Sequence, residues 1–385
     1  MRLAIVNLTG GGLSGGYRKY LKNMLPRLTR HKDVEALLCL IPEGSSDISS
    51  WLTDVPDADY SFCSPITVKH LVHIPDRNMA ACIDRFAPDV IFMPVDRYIG
   101  FNGIPVVNMV RNMEPLIPNM KDDNLKERFR KFVQRKLTCN SVRQADHTIA
   151  VSKFVKEYLV GAIHIPQEKV SHVYHGIALP RKATSRPASL PPAWNGGFLF
   201  TCGSIRPARG LEDAFAALDE LKFNNFAMRL VIAGDTGAGM IRYHDQLDRL
   251  LKGSGLTDKV CWAGNLNDDE MRWCYENCGL FIMTSRIEAC PNIALEAMSH
   301  GCLCISTDSP PMPEFFEQSA IYYRHGDGKS LCSAIQHALS LSEGQQKDMS
   351  SKARIRASQF SWDVCARETV NTLTQVMTSA GKGRE

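Results

Sequence analysis

Two glutamates, Glu288 and Glu296, are separated by seven residues in the segment 284–301, which follows an apolar run. Pro291, between them, predicts the first position of a helix, because a proline there loses no hydrogen bond. The N–H groups of the next three residues would be free at the helix N-terminus, where they favour an anion such as a diphosphate. Glu296, one turn further on, could accept both hydroxyls of a ribose, whereas Glu288 on the loop could reach a sugar. The alternative is an ordinary strand–loop–helix unit with surface glutamates.

The loop 203–210 places two arginines, Arg206 and Arg209, between a predicted strand and a predicted helix. A guanidinium group offers a fork of N–H donors that matches phosphate oxygens. The loop therefore predicts a phosphate clamp, and the alternative is a pair of solvated loop charges.

A run of glycines at 10–16 follows the first predicted strand. Residues 10–15 satisfy the G-x-G-x-x-G pattern of dinucleotide-binding loops, but the acidic residue expected at the end of the second strand is missing. The dinucleotide match is therefore weak, and Arg18, in the first turn of the next helix, could reach an anion bound near this loop. Tight turns that need positive φ are the alternative for each glycine.

Arg111 and Asn112 follow the predicted strand 104–110. Because ligands of parallel sheets bind at the carboxyl ends of strands, this position predicts contacts with a sugar or a phosphate. Asn112 could instead cap the turn in which it lies.

Residues 121–137 contain seven Lys or Arg against three Asp or Glu, and their apolar residues recur at helical spacing. One prediction is a helix that lies on an anionic membrane surface. The alternative, which is the more common arrangement, is a core-packed helix with a solvated basic face.

The composition is that of a globular protein, with 44% hydrophobic and 22% charged residues. No apolar run approaches the ~18 residues of a membrane span. The 13 cysteines form no C-x-x-C pair, and no signal peptide precedes the first strand, so we expect reduced, buried thiols in a cytoplasmic protein rather than a zinc site. Residues 1–182 carry 25 Lys and Arg against 18 Asp and Glu, which predicts an anionic partner. Nucleic acid is not expected, because zinc-finger spacing and RNA-binding aromatic motifs are absent.

Short apolar runs alternate with helical patterns along the chain, which predicts parallel sheets with helices on both faces. The expected strands are 2–8, 35–41, 89–94, 104–110, 147–152, 170–175, 198–203, 228–233, 259–263, 279–284, 302–306 and 320–323. A breaker-rich linker, 181–197, would separate the domains 1–180 and 198–360, and a C-terminal helix and tail would occupy 361–385. The fold class is therefore α/β, with two doubly wound Rossmann-like domains facing across a cleft and the last helix returning to the first domain.

The two glutamates, followed by Glu-Ala-Met-x-x-Gly from Glu296 to Gly301, resemble the donor-site signature of the family 4 glycosyltransferases, which are retaining enzymes of the GT-B fold. Further segments resemble family elements in the same order, namely Ala87–Phe92, Gln144–Ser152, Val173–Ile177 and Gly264 with the acidic helix start at 267–270. The likeness covers nearly the whole chain.

This resemblance implies a nucleotide-diphosphate sugar as the donor, bound by the second domain. The donor-binding residues would be Gly203, Ser204, Gly234, Asp235, Ser285, Ala289, Cys290, Pro291, Asn292, Ile293 and Glu296. The residues at the reacting groups would be Glu288, Arg209, Arg206, Arg111 and Asn112. The acceptor-side loop would comprise Gly11, Gly12, Ser14, Gly15 and Arg18.

The chain departs from the family in two places. Family members usually carry an Arg after the first glycine of the 203–210 loop and a Lys before the second. Here Ser204 follows Gly203, Arg209 holds the lysine position, and Arg206 would substitute for the arginine. Many members also carry a His-Asp pair at 111–112, so no histidine base is assigned.

The implied activity is transfer of a hexosyl or related group, with retention of configuration, to a glycan or lipid-linked acceptor in cell-surface polysaccharide or lipopolysaccharide synthesis. Neither a metal nor another cofactor is expected, since no D-x-D dyad stands at a strand end. The enzyme would be cytoplasmic or peripheral on the inner face of the cell membrane. The alternatives are another GT-B enzyme (a sugar-nucleotide epimerase or a glycan phosphorylase), a catalytically silent sugar- or membrane-binding scaffold, and an NAD oxidoreductase. The last hypothesis is suggested only by the glycine pattern of residues 10–15.

Overall fold

The computed structural model describes residues 1–8, 15–42, 55, 58–63, 74–117, 125–178, 182, 185–224 and 228–382. By its internal contacts the chain forms two units, Met1–Gly176 with Ser361–Glu385, and Ile177–Phe360. Each unit is an α/β structure with its own parallel sheet.

In the first unit, seven parallel strands are described, in the spatial order β3-β2-β1-β4-β5-β6-β7. They are β1 Arg2–Val6, β2 Ala36–Pro42, β3 Asp59–Cys63, β4 Val90–Met93, β5 Val106–Val110, β6 His147–Ala150 and β7 Val170–His172. The residues of β4, β5 and β6 are all buried, as expected for strands covered by helices on both faces. The strand order reverses at β1 and β4, so the loops after these strands flank a switch point.

In the second unit, six parallel strands are described, in the order β10-β9-β8-β11-β12-β13. They are β8 Leu199–Cys202, β9 Leu230–Ala233, β10 Val260–Gly264, β11 Leu280–Met283, β12 Cys304–Thr307 and β13 Ala320–Tyr323. Here β8 and β11 are neighbours, with Leu280 opposite Leu199 in register. The loops 203–210 and 284–291 therefore leave the sheet side by side at its switch point.

The helices cover these sheets. In the first unit they are α1 Gly15–Thr29, α2 Arg77–Phe86, α3 Leu125–Gln144 and α4 Lys153–Gly161. In the second they are α5 Leu211–Phe223, α6 Ile241–Gly253, α7 Asp268–Asn277, α8 Asn292–His300, α9 Met312–Phe316, α10 Gly328–Ser340 and α11 Glu343–Ser358, and the chain ends in α12 Trp362–Lys382.

The C-terminal helix α12 returns to the first unit, which confirms the prediction. It packs on α1, where Arg27 Nε lies 2.7 Å from Asp363 Oδ1 and the rings of Tyr20 and Trp362 are 6.0 Å apart. Ser361 Oγ accepts a hydrogen bond from the Asp363 N–H at 3.1 Å, as an N-cap residue would.

The described part of the predicted linker packs within the second unit. There Ser189 Oγ donates to the Ala263 carbonyl oxygen at 2.9 Å, and the Arg186 guanidinium lies 5.5 Å from the Trp273 ring centroid. Burial of Leu190 and Trp194 explains this placement, because these apolar side chains need the core of a neighbouring unit.

Four cysteines of the second unit, Cys274, Cys278, Cys302 and Cys304, lie in its core. Cys274, Cys302 and Cys304 are buried, and Cys278 Sγ lies 3.9 Å from Cys302 Sγ in a thiol–thiol contact. Burial raises the pKa of Cys274 and Cys304, which keeps both sulfurs protonated and unreactive. Within the described residues, no helix combines the length and apolarity needed to cross a membrane.

Candidate functional site

The two loops at the switch point of the second unit are joined by hydrogen bonds. Thr284 Oγ1 donates to the Arg209 carbonyl oxygen at 2.7 Å, and the Arg286 N–H donates to the Ala208 carbonyl oxygen at 2.8 Å. Each loop therefore fixes the position of the other, and side chains from both can act on one ligand.

The Arg209 guanidinium lies at the centre of this loop pair. Its Nη1 donates to Ser285 Oγ at 2.9 Å and to Glu288 Oε1 at 2.6 Å. The side chains of Arg209 and Glu288 are each only 13% exposed, so their ion pair is partly shielded from solvent. Gly203 lies against the same guanidinium, since a Cβ there would be 2.5 Å from its central carbon. The structure thus brings four predicted site residues into one cluster.

From the sequence, Arg209 was predicted to contact the diphosphate of a ligand and Glu288 its sugar. The structure instead pairs them directly. Because Glu288 and Ser285 hold the guanidinium in one orientation, a diphosphate would meet a cation that is already aligned. Arg206 lies half-buried at the start of the same turn and Ser204 is exposed, and their contacts with a ligand stay predictions.

The loop after β9 packs against the loop 203–210 and contributes to holding the cluster in place. A Cβ on Gly234 would lie 2.1 Å from the Gly203 carbonyl oxygen, and the φ of Gly234 is +142°, so only glycine fits there. The Asp235 carbonyl oxygen accepts the Ile205 N–H at 3.0 Å, while the Asp235 side chain is exposed. The predicted residues Gly234 and Asp235 therefore act on the cluster through the backbone.

The N-terminus of α8 differs from the prediction. Pro291 is the residue before the helix, not its first residue, and its φ of −79° and ψ of 82° are those of an inverse γ-turn. This turn bonds the Asn292 N–H to the Cys290 carbonyl oxygen at 3.0 Å, and the Ala294 N–H bonds the Pro291 carbonyl oxygen at 2.9 Å. The expectation of three free N–H groups is therefore wrong for two of them. Of the three, only the Ile293 N–H has no backbone acceptor among the described residues.

Glu296 is held by a residue that the sequence did not single out. The Tyr275 hydroxyl, on α7, donates to Glu296 Oε2 at 3.0 Å. Tyr275 is buried, whereas Glu296 is half-buried and lies one turn along α8 from Asn292. Ala289 and Pro291, in the loop before α8, are buried, and their contacts with a ligand stay predictions.

A third arginine in the region, Arg286, is engaged elsewhere. Its Nη2 lies 3.3 Å from Glu212 Oε2 and 3.6 Å from Asp213 Oδ1. Asp213 also accepts hydrogen bonds from the Tyr323 hydroxyl and the Gly326 N–H, yet burial still raises its pKa. Arg286 therefore ties its loop to the start of α5, and its charge is largely compensated there.

In the first unit, Arg111 and the start of α1 meet through Tyr17. The Arg111 guanidinium lies 4.1 Å from the Tyr17 ring centroid, and the Tyr17 hydroxyl donates to Asn7 Oδ1. Burial raises the pKa of Tyr17, so it remains a hydrogen-bond donor. Tyr17 was not predicted, although it directly follows the glycine run.

The remaining first-unit predictions have mixed outcomes. Asn112 is exposed and its Oδ1 accepts the Glu114 N–H at 3.1 Å, which is the turn-capping contact of the alternative prediction. Gly15 begins α1, with Arg18 exposed in its first turn. The other three predicted loop residues, Gly11, Gly12 and Ser14, lie outside the described residues.

The basic helix α3 exposes apolar side chains rather than burying them. Phe129 is 69% exposed, Phe132 57% and Val133 38%. Among the α3 side chains that are described, the first buried ones are Thr138 and Cys139, further along the helix. For the part of 121–137 whose side chains are described, the core-packed alternative is therefore wrong.

Comparisons with known proteins agree with this architecture. The family model "Glycosyltransferase Family 4" matches residues 14–181, and the model "Glycosyl transferases group 1" matches residues 187–356. Among solved structures, Alr3699/HepE of Anabaena in complex with UDP-glucose is 16% identical with a TM-score of 0.74, over 97% of this chain and 100% of that one.

The curated relatives are distant, and the chain spans less than two thirds of the length of the first two below. The uncharacterized glycosyltransferase MJ1607 of Methanocaldococcus jannaschii is 24% identical over 63% of each chain. The serotype-specific mannosyltransferase WbdA of Escherichia coli is 21% identical over 86% of this chain but only 42% of its own length. The O-antigen chain mannosyltransferase RfbU of Salmonella typhimurium is 20% identical over 86% of this chain and 90% of its own.

The two family models together span most of the chain, and the two parallel-sheet units match the neighbouring structure from end to end. The chain therefore belongs to the family 4 glycosyltransferases and has the GT-B fold.

Proposed function

We propose that this protein transfers a sugar from a nucleotide-diphosphate sugar to a glycan or lipid-linked acceptor, with retention of configuration. The cluster of Arg209, Ser285 and Glu288 at the β8–β11 switch point carries the proposal. The cluster offers an oriented guanidinium, and Glu296 on α8, the helix that follows the loop 284–291, offers a half-buried carboxylate. This pair of groups suits a ligand with a diphosphate and a ribose. The structural neighbour Alr3699/HepE was solved with UDP-glucose, a ligand of that class.

In the proposed reaction, the bond between the sugar C1 and the diphosphate oxygen breaks as the bond between C1 and the acceptor oxygen forms. Negative charge grows on the diphosphate, and Arg209, with Arg206 beside it, would stabilise that charge. The acceptor proton passes to an oxygen of the leaving diphosphate. These arginines take the part that a metal ion plays in other transferases, so we propose catalysis without a metal or another cofactor.

We further propose a role in cell-surface polysaccharide or lipopolysaccharide assembly. Two curated relatives that each align over 86% of the chain are described as mannosyltransferases, and one of them acts on the O-antigen chain. A mannosyl donor is therefore the first to test.

The test is an incubation with GDP-mannose, UDP-glucose or UDP-N-acetylglucosamine, each with and without a lipid-linked saccharide acceptor, in excess EDTA. We expect one donor to give a product whose new anomeric centre, read by NMR, has the configuration of the donor. A product of inverted configuration would contradict retention, and activity restored only by Mg²⁺ or Mn²⁺ would contradict metal-free catalysis. Conversion of the donor alone to an epimer would favour the epimerase alternative.

We also propose that α3 brings the enzyme to an anionic membrane surface, where a lipid-linked acceptor would lie. The exposed phenyl rings of Phe129 and Phe132 lie among basic residues of the same helix, namely Arg128, Arg130, Lys131 and Lys136. An apolar patch with a basic surround is the composition of helices that bind the membrane interface. This supports a cytoplasmic enzyme that is peripheral on the inner face of the membrane.

A further inference from the structure

Tyr275 lies on α7, outside every motif that suggested the donor site. Its hydroxyl donates to Glu296 Oε2 at 3.0 Å, and only 3% of the residue is exposed. Aromatic rings surround the phenol and restrict its rotation. The His300 ring stacks on it at 5.4 Å between centroids, and the Phe200 and Phe281 rings lie at 5.3 and 5.8 Å. The carboxylate that receives this hydrogen bond is therefore attached to an immobile donor.

A second polar contact of the Tyr275 hydroxyl connects it to Cys202, at the start of the loop that carries Arg209. Cys202 Sγ lies 3.3 Å from the Tyr275 hydroxyl oxygen. The phenol has a single proton, which it donates to Glu296, so the thiol must be the donor in the contact with Cys202. Burial raises the pKa of Tyr275 well above its usual value, and the hydroxyl therefore keeps its proton. Cys202 ends β8 and directly precedes Gly203, so hydrogen bonds link the start of the Arg209 loop to Glu296 on α8.

We propose that Tyr275 is a positioning residue that orients the Glu296 carboxylate for the ribose hydroxyls of a nucleoside diphosphate. The inference rests on the proposed function, in which Glu296 contacts the ribose. A glutamate side chain has three rotatable bonds, and fixing it before the ligand arrives removes a cost in conformational entropy from binding. Among the described residues, the polar contacts of the Tyr275 hydroxyl are with the Glu296 carboxylate and the Cys202 thiol, so its proposed effect on the ligand is indirect.

The test is calorimetric titration of UDP, GDP and ADP, each against its 2′,3′-dideoxy form, into wild type and Tyr275→Phe. The ratio of dideoxy to ribose dissociation constants measures recognition of the two hydroxyls. We expect Tyr275→Phe to lower this ratio about fivefold by weakening ribose-form binding, which corresponds to about 1 kcal/mol. Binding of the dideoxy form should change little, because it lacks the hydroxyls that Glu296 would accept.

Tyr323→Phe is the matched control. Tyr323 is also buried in the second unit, and its hydroxyl also donates to a carboxylate, Asp213, at 3.0 Å. Both variants remove one buried hydroxyl, and thermal melting should show a similar loss of stability. Only Tyr275→Phe should change the ribose ratio.

A double-mutant cycle completes the experiment. It compares wild type, Tyr275→Phe, Glu296→Gln and the variant that carries both substitutions. If Tyr275 acts through Glu296, adding Tyr275→Phe to Glu296→Gln should leave the ribose ratio unchanged. Additive effects, or a wild-type ratio in Tyr275→Phe, would overturn the positioning role while leaving the proposed function intact. Failure of wild type to bind any of the three nucleoside diphosphates would overturn both proposals.

Discussion

At the residue scale, the pairing of Arg209 with Glu288 decides how the site can work. An arginine that is 13% exposed and bonded to a carboxylate and a hydroxyl is aligned before any ligand binds. Such preorganised charge stabilises a transition state without reorganisation during the reaction. The ion pair also explains how a positive charge persists on a half-buried loop, because Glu288 compensates it when no diphosphate is bound.

We therefore expect Arg209→Ala to lower kcat by about 100-fold to 1000-fold, the usual effect of losing one donor to a developing oxyanion. KM should change less, because the charge on the diphosphate grows as the glycosidic bond breaks. Steady-state kinetics with the preferred donor measures both constants. Arg249→Ala, at an exposed arginine on α6, is the matched control and should keep wild-type kinetics. An unchanged kcat with a raised KM would assign Arg209 to ground-state binding.

Which site residues could be predicted depends on how local their geometry is. Gly203, Arg209, Ser285 and Glu288 lie on loops that directly follow strands, and the parallel order of β8 and β11 brings those loops together. Tyr275 was missed because its contact with Glu296 joins two residues that lie 21 positions apart on different helices, and no local pattern encodes such a contact. The bonded N–H groups of α8 were also missed, because they depend on the ψ of Pro291, which sequence does not fix.

At the element scale, the buried strands were predictable, and one of the edge strands, β3, was not. Runs such as Leu280–Met283 are continuous and apolar, which is how strands buried on both faces are recognised. β3 mixes polar and apolar residues, lies at the sheet edge beside β2 and was not among the predicted strands. Its pairing with β2, not its own composition, makes it a strand.

The contact between the loops after β8 and β9 gives a stability prediction. A Cβ on Gly234 would meet the Gly203 carbonyl at 2.1 Å, at a φ that side chains rarely adopt. We expect Gly234→Ala to destabilise the protein by about 2 to 4 kcal/mol, the sum of backbone strain and overpacking. Thermal or urea unfolding measures the loss. Gly237→Ala, in the same loop but with nothing within 4 Å of the new Cβ, should be close to neutral. Equal stability of the two variants would mean that the loop yields to the added carbon.

The exposed face of α3 predicts membrane binding that depends on both its rings and its charge. Phe129→Ser with Phe132→Ser should weaken binding to vesicles of phosphatidylcholine and phosphatidylglycerol by about tenfold or more, since even partial burial of two phenyl rings contributes over 1 kcal/mol. Sedimentation measures the bound fraction, and added salt should weaken the wild-type binding. Phe223→Ser, at a phenylalanine that is 87% exposed at the end of α5, should bind as wild type does. Equal, negligible binding of all three proteins, with or without phosphatidylglycerol, would contradict a membrane role.

At the scale of the whole molecule, the two units differ in charge and in what they carry. The cluster of Gly203, Arg209, Ser285 and Glu288 lies entirely in the second unit, whereas the basic helix α3 and the Arg111–Tyr17 contact lie in the first. The excess of Lys and Arg over residues 1–182 therefore lies mainly in the unit proposed to meet an anionic surface or acceptor. Two of these lysines, Lys156 and Lys169, also contribute to the pH dependence of stability, because they lower the pKa of a buried histidine, His147.

His147, at the start of β6, makes the first unit sensitive to acid. Burial, with the nearby charges of Lys156 and Lys169, lowers the pKa of His147 to about 4, below the ~6.5 of an unfolded chain. Between these two pKa values the unfolded state binds a proton that the folded state does not. The contribution of neutral His147 to the free energy of unfolding is therefore complete above about pH 6.5 and is lost as the pH falls towards 4. The resulting loss of unfolding free energy should reach about 3 kcal/mol.

Urea unfolding at a series of pH values measures this loss of stability. His147→Gln should flatten the dependence between pH 4 and 6.5, whereas His337→Gln, at an exposed histidine on α10, should leave it unchanged. A wild-type slope in His147→Gln would mean that the acid sensitivity arises from other groups.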